Sequence, residues 1–205
     1  MIDPKEFLAA GQLLHGHKCP AMPLGLRAGA AALNALGVER AKDKELLAIL
    51  DLGEGHFAHC FADGVQMITG CTFGKGNIRA SGHGKFALTL VDKAGSRAVR
   101  VAARTERLQE TKKTEFFREY RMKGIPASQV PEEVVSPLVE KVMNAPEEKL
   151  LKVGQVFRYE VEPKAGVFDS LVCDRCGEMV VEPYARVVGD KRVCIPCADE
   201  LRLEK

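Results

Sequence analysis

The chain has 205 residues, 46% of them hydrophobic and 28% charged, with a formal net charge of +2. That length suits one sizeable core plus a small appendage, and the near-neutral balance counts against a global field that would draw the protein to nucleic acid or a membrane surface. No run of about 18 apolar residues is present, so no segment reads as a bilayer span.

In chain order, Asp3-Pro4 predicts an N-cap followed by Pro at the first helical position, opening a short amphipathic helix that ends near Gly16. Residues 15–20 form a break. A second helix is predicted over 23–36 and is closed by Gly37. Its many Ala and Gly residues imply packing close against another backbone. Residues 45–52 read as a buried strand, 57–67 as a helix, and 69–77 as a Gly-rich loop. Residues 85–92 and 97–103 flank Lys93-Ala94-Gly95-Ser96 as the arms of a hairpin. A charged helix is predicted over 111–123, further helices over 131–143 and 146–153, and a strand over 155–161. Leu108, Phe116 and Phe117, the few apolar side chains of the charged region 104–123, suit a modest contact within the protomer or with another, and a homodimer is expected.

The linker is expected at 163–166, dividing a core domain (1–163) from a module at 168–205. The fold class expected is α+β: mixed helices on a mainly antiparallel sheet, plus a small C-terminal module of treble-clef or zinc-ribbon type.

Within that module, Cys173-x-x-Cys176 and Cys194-x-x-Cys197 have the spacing of a tetrahedral four-thiolate zinc site. Each pair forms one tight knuckle, and the stretch between them, with arms at 179–188 and 191–193 around Gly189-Asp190, turns as a hairpin. A terminal helix follows Cys197. Four protein thiolates leave no open position, so the predicted zinc ion is a folding staple for a module too small to bury a sufficient core. Arg175, Arg186, Lys191, Arg192 and Arg202 keep docking of a partner or nucleic acid as an alternative. Seven cysteines is an odd count, and four in zinc spacing leave Cys19, Cys60 and Cys71. Reduced thiols, with a charged N-terminus lacking a signal-peptide core, predict a cytoplasmic location.

The second cluster is His15-Gly16-His17-Lys18-Cys19-Pro20. Imidazole nitrogen and thiolate sulfur suit zinc, iron, nickel or copper better than magnesium. His17 and Cys19 alternate, so an extended backbone points both the same way. The helix that follows presents free N–H groups that lower the pKa of Cys19. On the residues alone, a helix-ending loop with incidental polar side chains accounts equally well for this segment.

This cluster, followed by Gly25-Leu26-Arg27, then Cys60-x-x-Asp63-Gly64-Val65-Gln66, then Thr69-Gly70-Cys71-Thr72-Phe73-Gly74-Lys75-Gly76-Asn77, resembles the E-subunit family of formylmethanofuran dehydrogenase over about residues 10 to 160. The four-Cys tail resembles the treble-clef appendage of some members. The resemblance implies an apparently dimeric α+β core in which His17, Cys19 and Cys60 converge on a metal or reactive-thiol site. Asp63, one helical turn beyond Cys60, would orient a ligand. Three protein ligands and a vacancy would make His17, Cys19, Cys60 and Asp63 catalytic. Cys71 and Lys75 are the expected cofactor-binding residues of the Gly-rich loop, with a tight structural connection as the competing reading; the Gly-Lys-Ser/Thr ending of a P-loop is missing. His56 and His59 could line the cavity, and His83 reads as a loop residue.

The function implied is a metal-binding enzyme component or accessory protein in one-carbon, methanogenesis-type, or molybdenum- or tungsten-linked metabolism, within a larger formylmethanofuran dehydrogenase-type complex. The alternatives are a carrier or sensor of a metal or small ligand, and a regulator that docks a partner or nucleic acid through the zinc finger.

Overall fold

The structure, a computed structural model, describes residues 1–55, 59–162 and 168–203. The chain divides into two compact units, Met1–Val161 and Glu162–Lys205. The predicted linker, and His56 and Phe57, lie outside the described residues.

In the first unit, Asp3 Oδ1 accepts from the Lys5 N–H (2.9 Å) and opens a 3-10 turn, Pro4–Phe7, which runs into α1, Leu8–His15. Gly16 stops α1 in the left-handed conformation, φ 82°, and turns the chain immediately after His15. α2, Ala21–Leu36, follows Cys19-Pro20 directly. β1, Leu46–Leu50, leads to α3, Cys60–Thr69, then β2, Ile78–Ala80. β3, Ala87–Asp92, and β4, Arg97–Ala103, form the predicted hairpin. α4, Thr105–Lys112, a π-helical turn, Phe116–Arg121, and α5, Glu132–Asn144, come next. α6, Glu147–Leu150, β5, Leu151–Val153, and β6, Phe157–Arg158, complete the unit.

The sheet runs β2-β1-β3-β4-β5, with β6 also on β4; the β1–β2 pair is parallel and the others antiparallel. The two-residue period of the strands sorts their side chains between two faces. Leu46, Ala48, Leu50, Leu88, Leu90, Val99 and Val101 point to the helices and form the main core with α2 and α3. Leu47, Val91 and Ala98 face the other way, under Ile49, Tyr159 and Val161.

α2 and α3 cross at glycines. A Cβ on Gly25 would lie 2.1 Å from the Phe61 carbonyl oxygen, and one on Gly64 would lie 2.0 Å from the Met22 carbonyl oxygen. Further along, a Cβ on Gly29 would meet Ile68 Cγ2 at 2.2 Å. These contacts pair 22–25 with 61–64 and 29 with 68, so the helices run in the same direction with their N-termini side by side. Arg27 fastens α2 to the end of α5: Nη1 donates to Val142 O (2.9 Å) and Met143 O (2.8 Å), and Nη2 to Ala145 O (2.8 Å). These are the orphan carbonyls of a helix C-terminus, the natural partners of a guanidinium.

The structure corrects several expected boundaries. The charged helix is not continuous over 111–123; α4 begins earlier and ends at Lys112. Thr111 Oγ1 donates to Arg107 O (3.0 Å) and Thr114 Oγ1 to Thr111 O (2.6 Å), hydroxyl bonds that compete with the helical ladder. Leu108 and Phe116 of this segment pack on the core of their own chain. The helix predicted to reach Val153 stops at Leu150, because residues 151–153 gain a partner in β4. The strand predicted over 155–161 is reduced to β6.

The second unit holds β7, Ser170–Val172, β8, Met179–Val181, β9, Ala185–Val188, β10, Lys191–Cys194, and α7, Ile195–Leu203. The expected single arm over 179–188 is broken by a 3-10 turn, Glu182–Tyr184, at Pro183. β8 pairs back on β7, and only β9 pairs with β10. Pro lacks the N–H that a continuous ladder needs.

Two outcomes follow. Gly64→Ala forces a methyl group into the Met22 carbonyl and should lower unfolding stability by about 2–3 kcal/mol, measured by chemical denaturation. Buried Asp51 accepts from Arg100 Nη2 (2.6 Å) and Ser81 Oγ (3.1 Å). Burial pushes its carboxyl up, but the hydrogen bonds and charge of Arg100, with Ser81 and His83, hold it below the usual range. Arg100→Met should therefore cost about 1–2 kcal/mol at pH 7, allowing for the half-exposed guanidinium. A depressed carboxylate contributes stability above its unfolded pKa, so the deficit should hold down to about pH 5 and close below about pH 4. Denaturation midpoints across that range check the sign.

Candidate metal centres and the adjoining cavity

The shared N-terminal end of α2 and α3 brings together Cys19, just before α2, and Cys60, the first residue of α3. His15 closes α1, and the turn at Gly16 folds His17 back beside it. One donor atom from each of His15, His17, Cys19 and Cys60 falls within a group spanning no more than 4.8 Å. His15 Nε2 lies 3.0 Å from His17 Nε2 and 3.5 Å from Cys19 Sγ. On the other side of the ring, His15 Nδ1 donates to Asp63 Oδ2 at 2.7 Å. The carboxylate holds the proton on Nδ1, so the lone pair of Nε2 faces into the cluster.

His17 and Cys19 are biased toward their ligating forms, while the thiol pair retains the proton of Cys60. Burial, then the nearby His15 ring and the Arg121 charge, push His17 down and favour its neutral imidazole. The Cys60 thiol donates to Cys19 and, with the Met22 and Ala21 N–H groups, draws Cys19 below the ordinary thiol range against the pull of burial. Those N–H groups are the free donors of the α2 N-terminus, where a thiolate is favoured. Cys60, as the donor in the pair, is pushed up, with burial and the Cys19 charge adding to the effect.

His17, Cys19 and Cys60 therefore meet as the resemblance implied, and Asp63 sits one turn from Cys60 in contact with an imidazole. That imidazole belongs to His15, which the expected ligand set omitted. The signal was in the sequence: 15, 17 and 19 alternate. With His15, four possible donors rather than three stand together.

Cys71 and Lys75 stand apart from the cluster. Cys71 is packed in the apolar core, and burial pushes its thiol up. Lys75 Nζ donates to the carbonyls of Ala41 (3.0 Å) and Lys42 (3.2 Å), and Asn77 Nδ2 to those of Asp43 (3.0 Å) and Leu46 (3.2 Å). The Gly-rich loop is thus a clasp on the segment before β1. His59 is exposed, and His83 faces Asp51 at 3.5 Å.

His17, Cys19 and Cys60 also form part of the wall of a cavity of about 710 Å³, closed on other sides by α4 and the π-helical turn. This volume lies in the range of small-molecule sites. Phe86, Leu108 and Phe116 give it apolar surface, and Arg107 and Arg121 line it. Nothing in the sequence marked these two arginines, because α4 and the turn reach the site only through tertiary packing.

In the second unit, the sulfurs of Cys173, Cys176, Cys194 and Cys197 lie within 4.8 Å of one another. Bonds of ~2.3 Å to a tetrahedral zinc ion set sulfurs ~3.8 Å apart. Cys176 Sγ and Cys194 Sγ are 3.9 Å apart. The Cys194 N–H donates to Cys173 Sγ (3.3 Å). Backbone N–H groups of Cys176 and Cys194 draw the Cys173 thiol down to about 6, while sharing with Cys194 pushes Cys197 up to about 12. The donor set fits zinc.

These features define an α+β protein with a mixed imidazole–thiol cluster in its body and a C-terminal four-cysteine module of zinc-finger type. The chain belongs to the FmdE family: the family model described as "FmdE, Molybdenum formylmethanofuran dehydrogenase operon" matches residues 14–152. The model of the prokaryotic dksA/traR C4-type zinc finger matches residues 166–201. A curated relative from Archaeoglobus fulgidus, a probable S-adenosyl-L-methionine-binding protein, is 32% identical over 211 residues, 97% of this chain and 52% of its own. The chain thus spans about half the length of that relative. A solved structure from Syntrophus aciditrophicus, of a protein like the tungsten formylmethanofuran dehydrogenase component FmdE, has the same fold. Its TM-score is 0.62 at 21% identity, covering 96% of this chain and 92% of that one.

Cys173→Ser should release zinc from the tail and remove amide protection over 168–203, because a module of this size folds with its metal. Hydrogen exchange on the zinc-loaded and substituted proteins checks this; protection that persists without zinc runs against it.

Proposed function

We propose that the body of this protein is a metal-dependent binding site for a small organic ligand, serving one-carbon metabolism of the molybdenum- or tungsten-linked kind that the family name denotes. One observation carries the reading: four soft and borderline donors, one of them oriented by a carboxylate, lie together, and three of them line a cavity of about 710 Å³. His15, His17, Cys19 and Cys60 would hold the ion, and a divalent ion there supplies Lewis acidity to a ligand atom in the cavity.

The protein's own groups do the positioning. Asp63 fixes the His15 ring, and the α2 N-terminus favours the Cys19 thiolate. Four donors saturate a tetrahedral zinc ion, whereas iron, cobalt or nickel accept a fifth ligand from the cavity side. The C-terminal zinc module is a structural staple.

A second reading is favoured by the Archaeoglobus relative, which carries the name of a probable S-adenosyl-L-methionine-binding protein. The cavity here has the volume for a ligand of that size.

Metal analysis of the wild type, Cys19→Ser and Asp63→Asn is the test. Cys19→Ser should lose the body's ion and keep the fold and the tail zinc. Asp63→Asn should weaken metal binding in the body about 10–100-fold, because the amide no longer holds His15 in its ligating tautomer. Unchanged metal content and affinity in both variants would sink the proposal. Calorimetric titration with S-adenosyl-L-methionine tests the second reading.

A further inference from the structure

The cavity beside the cluster has a charge pattern that metal binding leaves unused. Arg107, Lys112 and Arg121 line it, and no Asp or Glu is among its described lining residues. Arg107 is 9% exposed. Among the described residues its guanidinium has one acceptor, Glu110 Oε2, 3.0 Å from Nη1. That carboxylate is 59% exposed and also faces Lys141 Nζ at 3.6 Å. Two of the three guanidinium nitrogens, Nε and Nη2, are thus left to find an acceptor. A buried cation with unfilled donors is costly unless an oxyanion meets it, and the planar guanidinium fork matches a carboxylate or phosphate. Arg121 lines the same cavity as His17, so positive charge is present in the lining that the cluster shares. The same lining carries apolar side chains: Leu24, Phe86, Leu108, Phe116, Val142 and Leu150.

We propose that this cavity takes an amphipathic organic anion, with its oxyanion head on Arg107 and a ring-sized apolar body against Phe86, Leu108 and Phe116. The assignment rests on the reading of this cavity as the ligand site. It does not depend on which ion the cluster holds.

The test compares two probes with the same aromatic body: 8-anilinonaphthalene-1-sulfonate, and N-phenyl-1-naphthylamine, which lacks the sulfonate. Fluorescence titrations are run on full-length protein, metal-loaded and chelator-treated. The anionic probe should bind at least about tenfold more tightly in both forms. Arg107→Gln should abolish that preference while leaving the affinity for the neutral probe and the metal content unchanged, and Arg107→Lys should keep part of it. Equal binding of the two probes overturns the anion assignment and leaves the ligand cavity standing. A preference that survives Arg107→Gln but disappears with the metal places the anion on the ion and overturns the role of Arg107. Binding of neither probe overturns both the assignment and the ligand-site reading. Should Arg107→Gln fail to fold, Lys112→Glu carries the test: it adds an acid at an exposed position on the lining, and the anionic probe alone should weaken about threefold or more. An unchanged affinity overturns the proposal.

Discussion

α2 and α3 touch backbone to backbone. At Gly25 and Gly64 there is no space for a methyl group, since each missing Cβ would fall on the other helix's main chain, at a carbonyl oxygen. Because the helices run in the same direction, their positive ends lie together, and Cys19, just before α2, and Cys60, the first residue of α3, become neighbours although 41 positions separate them in the chain. A wider crossing would draw the two sulfurs apart and move the α2 N–H groups relative to His15 and Asp63. The site therefore depends on the absence of side chains at positions that carry no chemistry themselves.

The two cysteine-bearing clusters solve the problem of holding soft donors in different ways. In the tail, the sulfurs come from two tight knuckles, and main-chain N–H groups stabilise the first thiolate. Among the described residues of that unit the buried cluster is Cys173, Val193, Cys197 and Ala198, so two of the four ligands supply half of its core. In the body, the cluster sits on an apolar core that is already extensive. It mixes nitrogen with sulfur and recruits a carboxylate, and three of its four donors face a cavity. The first arrangement suits folding. The second leaves room for a ligand.

The segment over 104–123 changes meaning once folded. Its charges and few apolar residues suggested a charged helix making a modest contact within the protomer or with another. Instead α4 and the π-helical turn lie along the cavity, using Leu108 and Phe116 to pack inward while Arg107 and Arg121 add positive charge to its lining. The widened helical turn follows the hydroxyl bonds of Thr111 and Thr114, and such turns commonly occur where a helix is reshaped at a site.

The four-cysteine spacing, the His-x-His-x-Cys alternation, the hairpin at 93–96 and the small-residue face of α2 were all legible in the chain, because each rests on contacts a few residues apart or on a strict period. His15 was legible too, though its role shows only when Asp63 is seen to hold it. Cys71 and Lys75 read as site residues from their loop motif, yet the fold puts one in the core and gives the other two backbone carbonyls. The sequence by itself determined the residue types and spacings that suit a metal and the presence, though not the limits, of most helices and turns. The tertiary structure alone decided which of them share a site, and which cationic residues line the cavity beside it, because those juxtapositions come from helix packing across long stretches of chain and no local pattern encodes them.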